Sequence, residues 1–293
     1  SIPTVDEPGL RKALEECRDL IVATNQLKKL LDCQIVFLSI DVPTDNAGKS
    51  NLSVINKALN ELRSYINPKS SIIILSQVNP GFTRSFCDKF NNLFYQVETL
   101  VFGEALDRAL NPERIIIGLK KEKEKVNAFY SQFLESFNCN LLFMPYEAAE
   151  LSKISINLFL ISSVMTTNWL ASICEKIDTE WHYVEDALRL DKRIGQNAYL
   201  KPGLGLSGGN LERDLNSIKE LSVKVEEDTS LIMAWERISG ELKGWTLSQI
   251  KIASDLINKR KPIICVLGLA YKVGTNSIKN SPSLSLLNQI VNK

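Results

Sequence analysis

Tyr146 to Ile177 reads YEAAELSKISINLFLISSVMTTNWLASICEKI, the longest uninterrupted helical pattern in the 293-residue chain, and the fold is organised around it. Glu150, Lys153 and Asn157 stand there at i, i+3 and i+7. At about 100° per residue they fall within a sector of roughly 60°, so one edge of a helix presents all three. Ile154 to Cys174 contains no charged residue, which predicts a mostly enclosed helix with Lys153 at the edge of a dry region. A run of this length also raises the question of a bilayer span. Eight of its 21 residues are Ser, Thr or Asn, which favours a core helix and no membrane.

Upstream, short apolar runs, three of the four rich in β-branched residues, alternate with helical spacing. The runs are QIVFLSI (34–40), SIIILSQV (71–78), RIIIGL (114–119) and NLLFMP (140–145), with NLSVINKALNELRSYI and KKEKEKVNAFYSQFLESF between them. This alternation predicts crossover connections and a largely parallel sheet with ligand groups at the strand ends. The opening SIPTVDEPGLRKALEE reads as a loop entering a helix, and KKEKEK (120–125) as a solvated helix start. From 146 to 260 the pattern is helical, and PIICVLGL (262–269) reads as a new strand followed by one helix. The expected organisation is the latter part of an α/β domain (1–145), a helical middle (146–260) and the start of a second α/β domain (261–293).

A net charge of +1 excludes a bulk electrostatic partner such as nucleic acid or an anionic membrane. Six cysteines are scattered singly without CxxC spacing, and His182 is the only histidine. No metal site and no disulfide framework are expected, as suits a reducing cytoplasm, and no signal-peptide pattern opens the sequence. His182 reads as a surface residue, and Trp169, Trp181, Trp235 and Trp245 as packing residues.

The segment KPGLGLSGGNLERDL (201–215) places Gly203, Gly205 and Gly208 in G-x-G-x-x-G spacing. A dinucleotide fingerprint needs a strand before it, and RIGQNAYLKP is not one. Two readings stay open: a surface loop, or a loop whose glycines let backbone approach a ligand, with Asn210 and Asp214 on the first turns of the following helix.

Seven stretches, taken in order, resemble the nucleotide-sugar dehydrogenases, the UDP-glucose and GDP-mannose dehydrogenase family. They are EPGL (7–10), SIDVPTD (39–45), SQVNPGFT (76–83), GEALDRALNPERIIIG (103–118), AELSKISIN (149–157), RIG (193–195) and GLAYKVGTNSIKNSPS (268–283). The resemblance implies a partial Rossmann-like NAD-binding domain, an all-helical central dimerisation domain with one long helix, and the start of a second Rossmann-like domain that binds the nucleotide sugar. It implies NAD-dependent oxidation of a nucleotide sugar at its primary alcohol by a cytoplasmic homodimer built on the long helix.

By the same resemblance, Lys153 stabilises the reacting sugar oxygen, Asn157 hydrogen-bonds that centre, and Asp214 and Glu98 handle a water or protons. Ser76, Glu98 and Lys279 fall on the cofactor side. Gly205, Gly208 and Lys272 contact the nucleotide sugar, and Arg193 reaches a neighbouring subunit's substrate site. Lys153, Asn157 and Asp214 are expected to meet at one pocket.

Several positions depart from the family pattern. Asn210 stands where the family carries the cysteine that captures the sugar aldehyde, and an amide cannot become a thiolate nucleophile. The thioester step is therefore not expected, and the alternative is a non-catalytic nucleotide-sugar-binding or scaffold homologue. The family's glycine-rich cofactor-phosphate turn, which precedes EPGL, is not in this sequence. Gln77, Val97, Ser277 and Lys279 replace the usual Thr, Pro, Asp and Arg.

Overall fold

The computed structural model describes residues 5–45, 48–122, 124–256, 263–271 and 275–291. The chain forms two compact units, one of residues 1–45 and 50–154, the other of residues 46–49 and 155–293. The division falls inside the long helix.

The first unit is built on one five-stranded sheet. Its elements are α1 (Leu10–Glu16), β1 (Ile35–Leu38), α2 (Ser53–Leu62), β2 (Ser71–Ile74), β3 (Leu93–Gln96), α3 (Ala105–Leu110), β4 (Arg114–Leu119), α4 (Ala128–Glu135) and β5 (Asn140–Pro145). The first turns of α5 (Tyr146–Lys176) complete it. Strand order follows chain order, and every pairing is parallel except β3 with β4, where Tyr95 lies opposite Gly118.

All four runs become strands. The sequence reading omitted β3, whose LFYQ is a short run of three apolar residues, yet Leu93, Phe94 and Tyr95 are buried. Aromatic side chains suit a pleated surface equally well, and packing here outweighs the weak local signal.

Alternation along the strands explains why β2 is buried throughout. Ile72 and Ile74 face a cluster with Ile55 and Leu59 of α2, Phe86, and Tyr146 and Ala149 of α5. Ile73 faces the opposite cluster with Tyr130 and Leu134 of α4. Each such aliphatic side chain contributes about 1.5–3 kcal/mol by leaving water. Gly118 lets α5 lie against the sheet, because a Cβ there would stand 3.1 Å from the Cβ atoms of Ala149 and Tyr95.

The Asn127 side chain accepts from the Tyr130 N–H at 3.0 Å and caps α4, so the helix begins at Ala128. The described residues of the KKEKEK run therefore precede the helix and do not start it, contrary to expectation. A well-placed cap decides where the first turn closes.

The second unit contains the rest of α5 with α6 (Trp181–Leu190), α7 (Asn210–Lys224), α8 (Ser230–Leu256) and α9 (Pro282–Val291). Ile161 and Met165 of α5 pack with Leu206, Leu215 and Ile232, and Trp235 lies against them. The expectation of a mostly enclosed helix is corrected: Phe159 is 80% exposed and Trp169 55% exposed. Lack of charge records what a surface can tolerate, not whether it is covered.

Among the described residues α5 is the one helix long and apolar enough to cross a membrane. Three polar side chains of its middle turns are nevertheless engaged by protein. Ser163 and Thr167 donate to the Tyr199 carbonyl at 3.0 and 3.1 Å, and the Asn168 Oδ1 accepts from the Gly203 N–H at 2.6 Å.

The predicted strand at 262–269 is a further correction. Residues 263–269 carry no strand, and Ile263 and Leu267 are almost fully exposed. A strand exists through its neighbour's hydrogen bonds, and none of the described strands lies alongside.

Candidate active site

In the first unit, functional groups gather where β2 and β3 end and the second and third turns of α5 pass them. Ser76 is buried, and its hydroxyl donates to the Ile40 carbonyl at 2.6 Å, tying the chain after β2 to the chain after β1. Two residues past β3, the Glu98 Oε1 accepts from the Thr99 N–H at 2.9 Å. Burial raises the Glu98 carboxyl above the usual range, while the Lys153 charge and the Thr99 N–H act in the opposite sense. The Lys153 ammonium donates to the Glu98 main-chain carbonyl.

Three further contacts fasten α5 to the first unit. Arg84 grips Glu147 through Nε at 2.8 Å and Nη2 at 2.9 Å, and donates from Nη1 to the Lys120 carbonyl at 2.6 Å. The Tyr146 hydroxyl donates to the Leu93 carbonyl at 2.6 Å. Glu150, fully buried, accepts from the Gly81 and Thr83 N–H groups at 2.6 and 2.8 Å. The sequence placed Glu150 beside Lys153 and assigned it no partner. The signal was in NPGFT, whose Gly81 takes a left-handed φ of 92° and turns its N–H inward.

These loops fit one side of a dinucleotide. They stand at the carboxyl ends of parallel strands, where such ligands bind. Open space lies where a Cβ of Gly81 would stand. Among the described residues no glycine-rich turn joins a strand to a helix, so a cradle for the cofactor phosphates is not among them.

In the second unit the Asn157 side-chain amide donates to the carboxylate of Asp214, which is fully buried on α7. The guanidinium Nε of buried Arg213 lies 3.4 Å from the other carboxylate oxygen. Asn157 and Asp214, 57 residues apart, thus share one site. Asn210 is the first residue of α7 and is exposed. None of the six cysteines, all free thiols, falls in the 201–210 loop.

Gly205 and Gly208 of that loop answer to packing, whereas a Cβ at Gly203 would meet open space. Gly205 has φ 82°, and a Cβ would fall 2.7 Å from the Ser239 carbonyl oxygen of α8. At Gly208, also at φ 82°, a Cβ would strike the Tyr271 ring at 2.8 Å. Both approaches are to protein, and no strand precedes the loop.

Lys279 lies over Gly209, its methylenes 3.0–3.1 Å from where a Cβ would stand, so it joins this loop in the second unit. Arg193 is exposed and bonded to Asp191 of its own turn at 2.6 and 3.0 Å. Lys272 lies outside the described residues. Trp235 packs inside and Trp181 donates to the Leu200 carbonyl at 2.9 Å, whereas Trp169, Trp245 and His182 are exposed.

Comparison with known proteins adds the family context. The UDP-glucose/GDP-mannose dehydrogenase family, NAD binding domain, matches residues 1–135, and the central domain of the same family matches residues 147–240. A putative UDP-glucose 6-dehydrogenase, YtcA of Bacillus subtilis (strain 168), is 25% identical over 97% of this chain and 68% of its own length. The UDP-glucose 6-dehydrogenase of Rickettsia bellii (strain RML369-C) is 28% identical over 91% of this chain and 62% of its own. A UDP-glucose dehydrogenase structure from the archaeon Pyrobaculum islandicum shares the fold with a TM-score of 0.87 at 22% identity, covering 99% of this chain and 69% of that one. The chain spans about two thirds of the length of these relatives.

Proposed function

The chain belongs to the UDP-glucose/GDP-mannose dehydrogenase family, and on that premise we propose that it oxidises a nucleotide sugar of the UDP-glucose kind at its primary alcohol. The cofactor is NAD, the ligand of the matched N-terminal domain; when bound, it supplies the hydride acceptor. The observation that carries the reading is the Asn157–Asp214 hydrogen bond, which joins two residues that the family motif assigns to one reacting centre.

Lys153 supplies positive charge toward the alkoxide that develops as hydride leaves. Its family role requires the ammonium to exchange the Glu98 carbonyl for the substrate oxygen. Glu98, whose raised proton affinity comes from burial, takes up the alcohol proton. Asp214, held by Asn157 and Arg213, orients the sugar or a water. Asn210 cannot form a thioester, so a second oxidation has to pass through a hydrated aldehyde.

The test is to supply NAD with UDP-glucose and related nucleotide sugars and to follow NADH. Turnover insensitive to thiol alkylation is expected; no turnover with any nucleotide sugar sinks the proposal. Asn210→Cys places a thiol at a helix N-terminus, where thiolate is favoured, and is expected to raise the NADH formed per sugar.

Asn210 also favours a second reading, a homologue that binds nucleotide sugars without oxidising them. Calorimetry showing sugar-nucleotide binding but no NAD binding would select it. A cytoplasmic homodimer accompanies the first reading. Exposed Phe159 and Trp169 on α5 support the interface, and a monomer by light scattering would remove it.

A further inference from the structure

Glu150 spends a fully buried carboxylate on two main-chain N–H groups donated from 69 and 67 residues away. A neutral acceptor within the loop normally satisfies such groups, at far lower desolvation cost. Glu150 holds the turn 79–83, which follows directly on Ser76, Gln77 and Val78 at the end of β2. The turn closes on itself through the Phe82 N–H to the Asn79 carbonyl at 3.0 Å and the Ser85 N–H to the Gly81 carbonyl at 3.3 Å. One helical turn further along α5, Lys153 holds the chain after β3 through the Glu98 carbonyl.

We infer that Glu150 is a positioning residue for the cofactor side of the first unit, its ionised carboxylate fixing the 79–83 turn in the shape that receives NAD. The inference rests on the NAD-dependent reading above. When ionised, each oxygen accepts one N–H. When protonated, one oxygen becomes a hydroxyl and a poor acceptor, so one of the two N–H groups is left buried and unpaired and the turn loosens.

The surroundings place this change near neutrality. Burial pushes the Glu150 carboxyl up to about 7, against the Thr83 and Gly81 N–H donors, which favour the charged form. Two titratable groups of α5 act with it: Glu147, which disfavours a second negative charge, and the Tyr146 phenol. The neighbouring cations are engaged elsewhere, Lys153 on the Glu98 carbonyl and Arg84 on Glu147 and the Lys120 carbonyl. The Cys87 thiol lies close to the Tyr146 phenol, which is bonded to Leu93.

The experiment follows the whole chain from about pH 5.5 to 8.5 with two readings. Hydrogen exchange at the 79–83 amides, corrected for intrinsic rate, reports the turn. Calorimetry with NAD alone reports its consequence. In the wild type, protection of the turn and NAD affinity are expected to rise together through pH 7, affinity by about tenfold.

Glu150→Gln presents one acceptor at every pH, so both profiles are expected to be flat, with NAD binding about tenfold weaker at high pH. Glu150→Asp, one methylene short, serves if the glutamine variant does not fold, and is expected to weaken both rises. Turn protection that follows the wild-type profile in either variant overturns the inference. If the wild type binds no NAD at any pH, the functional reading fails while hydrogen exchange still decides whether Glu150 sets the turn.

Discussion

The two ends of α5 hold their surroundings by different chemistry. Its first turns use charged groups: Glu147 on Arg84, Glu150 on the Gly81 and Thr83 N–H groups, Lys153 on the Glu98 carbonyl. Its later turns use amides and hydroxyls: Asn157 on Asp214, Ser163 and Thr167 on the Tyr199 carbonyl, Asn168 on the Gly203 N–H. The Glu150 attachment titrates, because burial pushes its carboxyl up to about 7, whereas the attachments of Ser163, Thr167 and Asn168 contain no titratable group. The Glu150 contact in the first unit is therefore the pH-responsive one, and the hydroxyl and amide contacts to 199–203 in the second are fixed.

Four perturbations separate these ends. Asp214→Ala, the largest, strips the Asn157 amide and the buried Arg213 of their acceptor. A loss of about 3–5 kcal/mol in denaturant unfolding of the second unit is expected, with turnover abolished; a loss under about 1 kcal/mol would mean that the carboxylate is replaceable. Next, Lys153→Met is expected to lower kcat/KM by about 10²–10³-fold with little change in Tm. Equal turnover in the variant would leave Lys153 as a strut on the Glu98 carbonyl.

Third, Glu150 carries a pH term of definite sign. The folded carboxyl keeps its proton up to about 7, whereas an unfolded glutamate releases it near 4.5. The native state binds more protons between those values, so this group's contribution to stability is full below the lower one and is lost as pH rises toward the upper. The loss approaches roughly 3 kcal/mol. Chemical denaturation across that window should show Glu150→Gln gaining on the wild type as pH increases; a constant gap would refute the sign. Smallest, Thr167→Val is expected to cost about 1 kcal/mol in the same measurement, equally at pH 5 and pH 8. A pH-dependent cost would erase the distinction between the two ends.

Much of this was legible in residue patterns. Periodicity located α5 and four strands, and Glu150, Lys153 and Asn157 all stand on α5, each with a hydrogen-bond partner. The partners of those groups were not legible, because hydrogen bonds such as Glu150 to Gly81 join residues far apart in sequence. β3 escaped because LFYQ is only four residues long, although its Phe and Tyr suit a strand and its burial marks it as one. The segment 263–269 misled for the reverse reason: its composition is that of a strand, and pairing, which composition does not encode, is missing. For the glycine loop two readings stayed open, and what the structure adds is that a Cβ at Gly205 or Gly208 would meet Ser239 or Tyr271.

The single antiparallel pairing between β3 and β4 has an electrostatic result. It reverses β4 and β5, so α5 leaves the sheet at the end opposite the loops after β1, β2 and β3 and runs back toward them. Tyr146 consequently touches the start of β3 and Lys153 the chain beyond its finish. The positive pole of α5's peptide dipole thus points away from those loops, and the helix brings positive charge to them through an ammonium. A backbone pole cannot be removed by substitution, but a lysine can, which makes this part of the field open to engineering one residue at a time.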